Sequence, residues 1–141
     1  MSLINAFKIS STGMQAQSAR LNAVASNMAN AETVSSTDQG AYRARKVVFE
    51  AITPANAQPS AGKSATAEVR IKEVTQDNSA ARRMYEPGNP LANEEGFVFA
   101  SNVNAAEEMV DLISASRSYQ TNAEVMNTMK SLMLKTLQIG Q

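Results

Sequence analysis

Hydrophobic positions recur every seven residues at both ends of the chain. Phe7, Met14, Leu21 and Met28 form one row, flanked by Leu3 and Val24. Leu112, Tyr119, Met126 and Met133 form a second, flanked by Met109, Ala123 and Leu137. A seven-residue period keeps side chains along one seam of an α-helix, the arrangement of coiled-coil packing. The flanking rows are broken by Ser10, Gln17, Ser116 and Lys130. The pattern predicts a first helix over residues 3–30 and a second over residues 104–139, roughly 42 and 54 Å long at ~1.5 Å per residue. Ser2 is placed to cap the first helix. Gly13, with Ser10, Ser11 and Thr12 before it, is a weak spot inside it, because glycine costs ~1 kcal/mol against alanine in a helix. Asn104 to Glu107 reads as a capping box at the start of the second helix. Glu107, Glu108 and Asp111 stand near its positive end and Lys130 and Lys135 near its negative end, and Gly140 is a suitable stop.

Between the two helices the period changes. Residues 31–41 are polar and predict a loop. Tyr42 to Ile52 predicts a strand centred on Val47, Val48 and Phe49. Residues 53–66 carry two prolines and a glycine and predict an exposed loop. Glu68 to Thr75 alternates, with Val69 and Ile71 on one side and Glu68, Arg70 and Lys72 on the other, which predicts a half-buried strand. Residues 76–95 read as irregular, with Pro87, Gly88 and Pro90 fixing turns. Glu94, Glu95 and Gly96 form the turn of a hairpin that leads into a short strand at Phe97, Val98 and Phe99. The predicted organisation is an N-terminal helix within 1–31, a linker loop over 32–41, a β-rich middle over 42–100 and a C-terminal helix within 101–141. The fold class is α+β, with the terminal helices paired as a coiled coil.

Composition sharpens this picture. The 141 residues are 43% hydrophobic and 18% charged, which excludes a wholly disordered chain, and only 5% aromatic, which leaves little for a large rigid core. Two long helices with so small a body between them need partners for their seams. Thirteen basic and 13 acidic residues balance, and a neutral chain lacks the clustered cations that nucleic acid demands. The balance is uneven along the chain: residues 1–31 hold Lys8 and Arg20 and no acid. No apolar run approaches the ~20 residues of a membrane span, and the N-terminus shows no secretory signal pattern.

Candidate chemistry is sparse. There is no cysteine and no histidine, so disulfides, thiolate metal sites and the commonest general base are all excluded. Gly62, Lys63 and Ser64 match the tail of a phosphate-binding loop, but Ala57 stands where its first glycine is required. The pairs Glu94–Glu95 and Glu107–Glu108 are adjacent in sequence and do not share a helix face, and a turn and a helix N-terminus account for them. The plentiful serines have no positioned base. Six methionines (Met14, Met28, Met109, Met126, Met129 and Met133) lie on the helices, where they fill irregular gaps. The expectation is no enzyme, no cofactor, no metal, no nucleic acid and no small-molecule substrate.

Three segments carry a resemblance. Tyr85-Glu86-Pro87-Gly88-Asn89-Pro90-Leu91-Ala92 with Gly96-Phe97-Val98 and Asn102-Val103, and the run from Glu108 to Asn122, resemble the signature of flagellar basal-body rod proteins. Residues 85–122 favour the proximal-rod member. Arg20 to Ala31 is similar to the N-terminal motif of the wider flagellar axial family, to which rod and hook proteins belong. The chain departs from many of those relatives in having a longer polar loop before Tyr42 and Arg43, which leaves the path of residues 32–41 open. The resemblance implies a structural subunit of the rod, the hollow shaft that crosses the periplasm and transmits torque, exported through the flagellar type III channel without cleavage. It implies as partners other copies of the chain, other proximal-rod proteins, the distal-rod protein, and export-gate and MS-ring components. The seam residues above are then the assembly seam, and Ile4, Ile113, Met129 and Leu134, lying off it, remain for neighbouring subunits. A helical adaptor or export chaperone is the alternative, and a cell-wall hydrolase a more distant one.

Overall fold

The computed structural model describes residues 3–53 and 67–139. The Ser2 cap, the Gly140 stop and the Gly62-Lys63-Ser64 segment lie outside these. Helix α1 (Leu3–Ala29) is followed by five strands, β1 (Val34–Ser35), β2 (Arg45–Ile52), β3 (Glu68–Gln76), β4 (Arg82–Tyr85) and β5 (Phe97–Ala100), and then by helix α2 (Ala105–Ile139). The fold is α+β, as the change of period along the chain predicts.

The strands form two separate antiparallel units. One is a three-stranded sheet in the order β1-β5-β4, and the other is the β2–β3 hairpin. Two short strands were not legible in the residue pattern. Strand β1 lies in the stretch expected to be loop, because pairing of Val34 with Ala100 and Ser35 with Phe99 recruits it to β5. Strand β4 lies in the stretch expected to be irregular, with Tyr85 paired to Phe97. Neither has a periodic pattern of its own; both are ordered by β5. The expected turn at residues 94–96 is present. Asn93 accepts from the backbone N–H groups of Glu95 and Phe97 (3.1 and 2.8 Å). Gly96 sits at φ 79°, and a Cβ there would lie 2.9 Å from the Tyr85 ring.

Burial on β3 differs from its alternation. Ile71 is 38% exposed and Val74 is exposed as well. A two-stranded ribbon has only one neighbour to cover it, and the register of β2 on β3 shifts between Val48 and Phe49, which breaks the period-2 face at its centre. The hairpin rests on α1 at its other end, where the Val69 N–H donates to Thr12 Oγ1 at 3.3 Å.

The core is small and built from small residues. Ala31, Ala44 and Val103 cluster with Tyr42, and Val98, Ala100 and Ser101 are buried beside the strands. Ser101 Oγ donates to the Ala31 carbonyl (2.9 Å), which joins the end of α1 to the approach to α2. Asn102 accepts from the Ala44 N–H (2.7 Å) and donates to the Asp77 carbonyl (2.9 Å), fixing the hairpin to the same junction.

Asn27, 1% exposed, is the centre of that junction. Its Oδ1 accepts from the Arg45 N–H (2.8 Å) and from the Tyr42 hydroxyl (3.1 Å). Its Nδ2 donates to the Arg45 carbonyl and to Glu108 Oε1, both at 2.9 Å. One amide thus satisfies α1, the start of β2 and the first turn of α2 together. The amide itself is buried and its partners are part-buried, so removing it breaks four hydrogen bonds at once. Asn27→Ala is expected to destabilise the chain by about 2 kcal/mol or more. Gly96→Ala should cost about 1–2 kcal/mol for the left-handed backbone alone. Urea midpoints of the two variants against the parent chain measure both.

Candidate assembly surface

The terminal helices lie antiparallel. Gly13 is beside Asn122, Arg20 bonds Asp111 at 2.7 Å, and Asn27 bonds Glu108, so residue numbers rise along α1 as they fall along α2. At Gly13 a Cβ would stand 3.0 Å from Asn122 Nδ2. The glycine that weakens the helix on propensity grounds therefore stands directly against an α2 side chain. The face of α1 buried in the chain comprises Ser10, Ala16, Ala23, Val24 and Asn27; on α2, Ala115 is buried. Ser10, which interrupts the flanking row, is part of this packed face. The polar pairs Arg20–Asp111 and Asn27–Glu108 join the helices toward the strand end.

The expected seam residues take three kinds of position. Val24 is buried. Met14, Leu21 and Met28 on α1, and Leu112, Ala123, Met126 and Met133 on α2, are half-buried. Met14, Tyr119 and Met126 come together along a groove of about 450 Å³ beside the helix pair, with Ser11, Gln15 and Asn22. Leu3, Phe7, Tyr119 and Met109 are exposed, and Leu137 is the most exposed of all at 68%. The heptad rows thus run along the shoulder of the helix pair, with the small-residue face inside. Of the residues that lie off the seam, Ile4, Ile113 and Leu134 are exposed and Met129 is half-buried.

Sequence reasoning missed the polar elements of this contact: Arg20, Asn27, Glu108 and Asp111. Asn27 had one legible signal, its place within the Arg20–Ala31 motif. Glu108 and Asp111 were read as helix-dipole partners, because nothing in a single sequence shows that they face α1.

A cleft of about 420 Å³ opens where α1, α2 and β2 meet, and Arg20, Arg45, Lys46, Glu107, Glu108 and Asp111 line it. Glu108 Oε2 is buried there without a hydrogen-bond partner. Burial raises the Glu108 pKa above its usual 4.5, opposed by the Asn27 hydrogen bond and reinforced by Asp111 and Glu107. The Asp77 carboxyl is held low, first by its hydrogen bond from Lys46 and then by Ser79; Lys46 is raised by the same partner. Among the described residues no group of His, Cys, Asp or Glu is arranged to hold a metal ion, and no helix is long and apolar enough to cross a membrane.

The sign of the Glu108 effect follows from linkage. Its folded pKa lies above the unfolded value, so between those two values the folded chain binds more protons. Stability from this group is therefore full below about pH 4.5 and falls as pH rises through the folded pKa. Glu108→Gln removes this loss, so its stability relative to the parent should grow between pH 4 and pH 7. Urea midpoints at the two pH values test this, and an unchanged difference contradicts the assigned desolvation.

Two family models match the chain. Residues 7–34 match the flagella basal body rod protein family. Residues 94–139 match the flagellar basal body rod FlgEFG protein C-terminal family. These are α1 with the turn after it, and β5 with α2. Flagellar basal-body rod protein FlgC of Yersinia enterocolitica is 50% identical over 141 residues, and that of Escherichia coli O157:H7 is 49% identical over 141, each covering 100% of both chains. The FlgC protein of Bacillus subtilis is 33% identical over 150 residues, again covering both chains entirely. With its helical ends and its β middle matched at this level throughout, the chain belongs to the flagellar basal-body rod protein FlgC family.

Proposed function

We infer that this chain is a structural subunit of the flagellar basal-body rod and assembles with other rod components. The observation that carries the reading is similarity to FlgC proteins along the entire chain, joined to long helices with rows of apolar side chains left open. Its family is one of structural rod proteins, not of enzymes.

The finer reading is that the subunit sits in the proximal rod and transmits torque through a hollow shaft. Its partners are other copies, the remaining proximal-rod proteins, the distal-rod protein, and the export-gate and MS-ring components at the base. It reaches the rod through the flagellar type III channel. Physical chemistry supports this reading in two ways. Helices whose buried positions are mainly Ala and Ser gain little from burial within one chain, since apolar stabilisation scales with area at about 25 cal/mol per Å². Such a chain opens readily for passage through a channel and gains its remaining order from neighbours. Repeated heterologous contacts between unlike patches then build a helical tube.

The rows read from the sequence (Leu3, Phe7, Met14, Leu21, Val24 and Met28 with Met109, Leu112, Tyr119, Ala123, Met126, Met133 and Leu137) are proposed as the coiled-coil and assembly seam, Val24 within the chain and the others at its shoulder. Met126 borders the groove with Tyr119 and Met14, so a charge there would be desolvated without a partner once a neighbour packs on it. Met126→Asp is expected to abolish incorporation into basal bodies and swarming, with secretion measured in parallel. Normal rods and motility would count against the seam.

A further inference from the structure

Helix α2 carries an apolar stripe that faces away from its own chain. Ala106, Met109, Val110 and Ile113 are spaced as one helical face, and all four are exposed, Val110 to 67%. Glu107 and Asp111 border it; together with Ala106 and Val110 they line a shallow depression. The side chains by which α2 bonds α1 in these turns are Glu108 and Asp111, so Asp111 stands at the edge between the inner face and the stripe.

The far end of the same helix presents the matching chemistry. Leu134 and Leu137 are exposed. Lys130 lies one turn before Leu134, and Lys135 adjoins it, both exposed. The antiparallel register sets Leu3 near residue 132, so Leu134 and Leu137 lie past the first described residue of α1. Among the described residues Glu107, Lys130 and Lys135 have no ion-pair partner.

We propose that the two ends of α2 are complementary docking surfaces, and that the Lys130–Leu137 tip of one copy seats on the Ala106–Ile113 stripe of a second copy of this chain. A single offset of 24 residues between roughly parallel helices aligns the two apolar pairs and one charge pair. It sets Leu134 over Val110 and Leu137 over Ile113, with Lys130 within a residue of Glu107. At ~1.5 Å per residue the copies are displaced by about 36 Å along the helix. The two patches are unlike, so the contact is heterologous and does not close on itself. The proposal rests on the rod-subunit reading and adds to it the contacting surfaces and the register.

The chain contains no cysteine, so introduced thiols report the contact without background. Cells making Ile113→Cys/Leu137→Cys as their only copy are oxidised mildly, and basal bodies are isolated. The expected result is a disulfide-linked dimer of this chain, absent from either single variant and from an Ile113→Cys/Leu91→Cys control. Motile cells with the double variant in their basal bodies but no dimer, or an equal dimer in the control, overturn the contact while leaving the rod reading intact. Absence of the parent chain from basal bodies would instead overturn the rod reading. If the double-cysteine variant is not incorporated, charge reversal decides. Glu107→Lys and Lys130→Glu should each lower incorporation by about threefold, the scale of an exposed ion pair, and together restore it. Failure of the pair to restore it overturns the register.

Discussion

The structure depends on the close antiparallel contact between α1 and α2, and that contact is closed at the β-strand end by one buried amide. Asn27 is bonded to Arg45, Tyr42 and Glu108, so the exit of α1, the entry of β2 and the first turn of α2 hold one another in place. The amide, itself 1% exposed, is satisfied wholly by these protein partners, and leaving a buried polar group unpaired is costly. The small core of Ala31, Ala44 and Val103 sits beside this junction and could not alone set the angle at which two long helices leave it.

The chemistry of the helix contact explains its form. Gly13 lies against Asn122 of α2, and Ser10, Ala16 and Ala23 are the small buried residues of α1, so this face packs by close contact of small side chains. The bulky residues are displaced to the shoulders: Met14, Tyr119 and Met126 meet along a groove, and Leu137 is left in water. A globular enzyme would bury such side chains. A subunit that completes its packing in a polymer retains them for neighbours, and the adaptable methionines suit positions that must fit more than one surrounding.

Charge follows the same division. The strand end of the helix pair is a balanced cluster in which Arg20 and Asp111 pair across the helices and Glu108 is partly desolvated. Toward the other end, Lys8, Lys130 and Lys135 predominate over Glu124. A chain that is neutral overall is thus polarised along its length, which suits head-to-tail contact better than side-by-side symmetry.

Residue pattern alone determined the two helices, the hairpin strands, the turn before β5 and the Asn104 cap, whose Oδ1 accepts from the Ala106 N–H at 3.1 Å. These are local features, set by period, propensity and turn chemistry within a few residues. It also determined the absence of histidine and cysteine chemistry, and the motifs that resemble rod proteins. Only the tertiary structure decided that β1 and β4 exist, since each is ordered by pairing with β5. It alone decided that the inner helix face is small and polar, with Ser10 and Asn27 buried and the heptad rows beside it. Heptad spacing specifies which residues share a line along a helix. Which line turns inward depends on close approach at Gly13 and on bonds between residues some ninety positions apart, such as Arg20 to Asp111, and no local pattern encodes those.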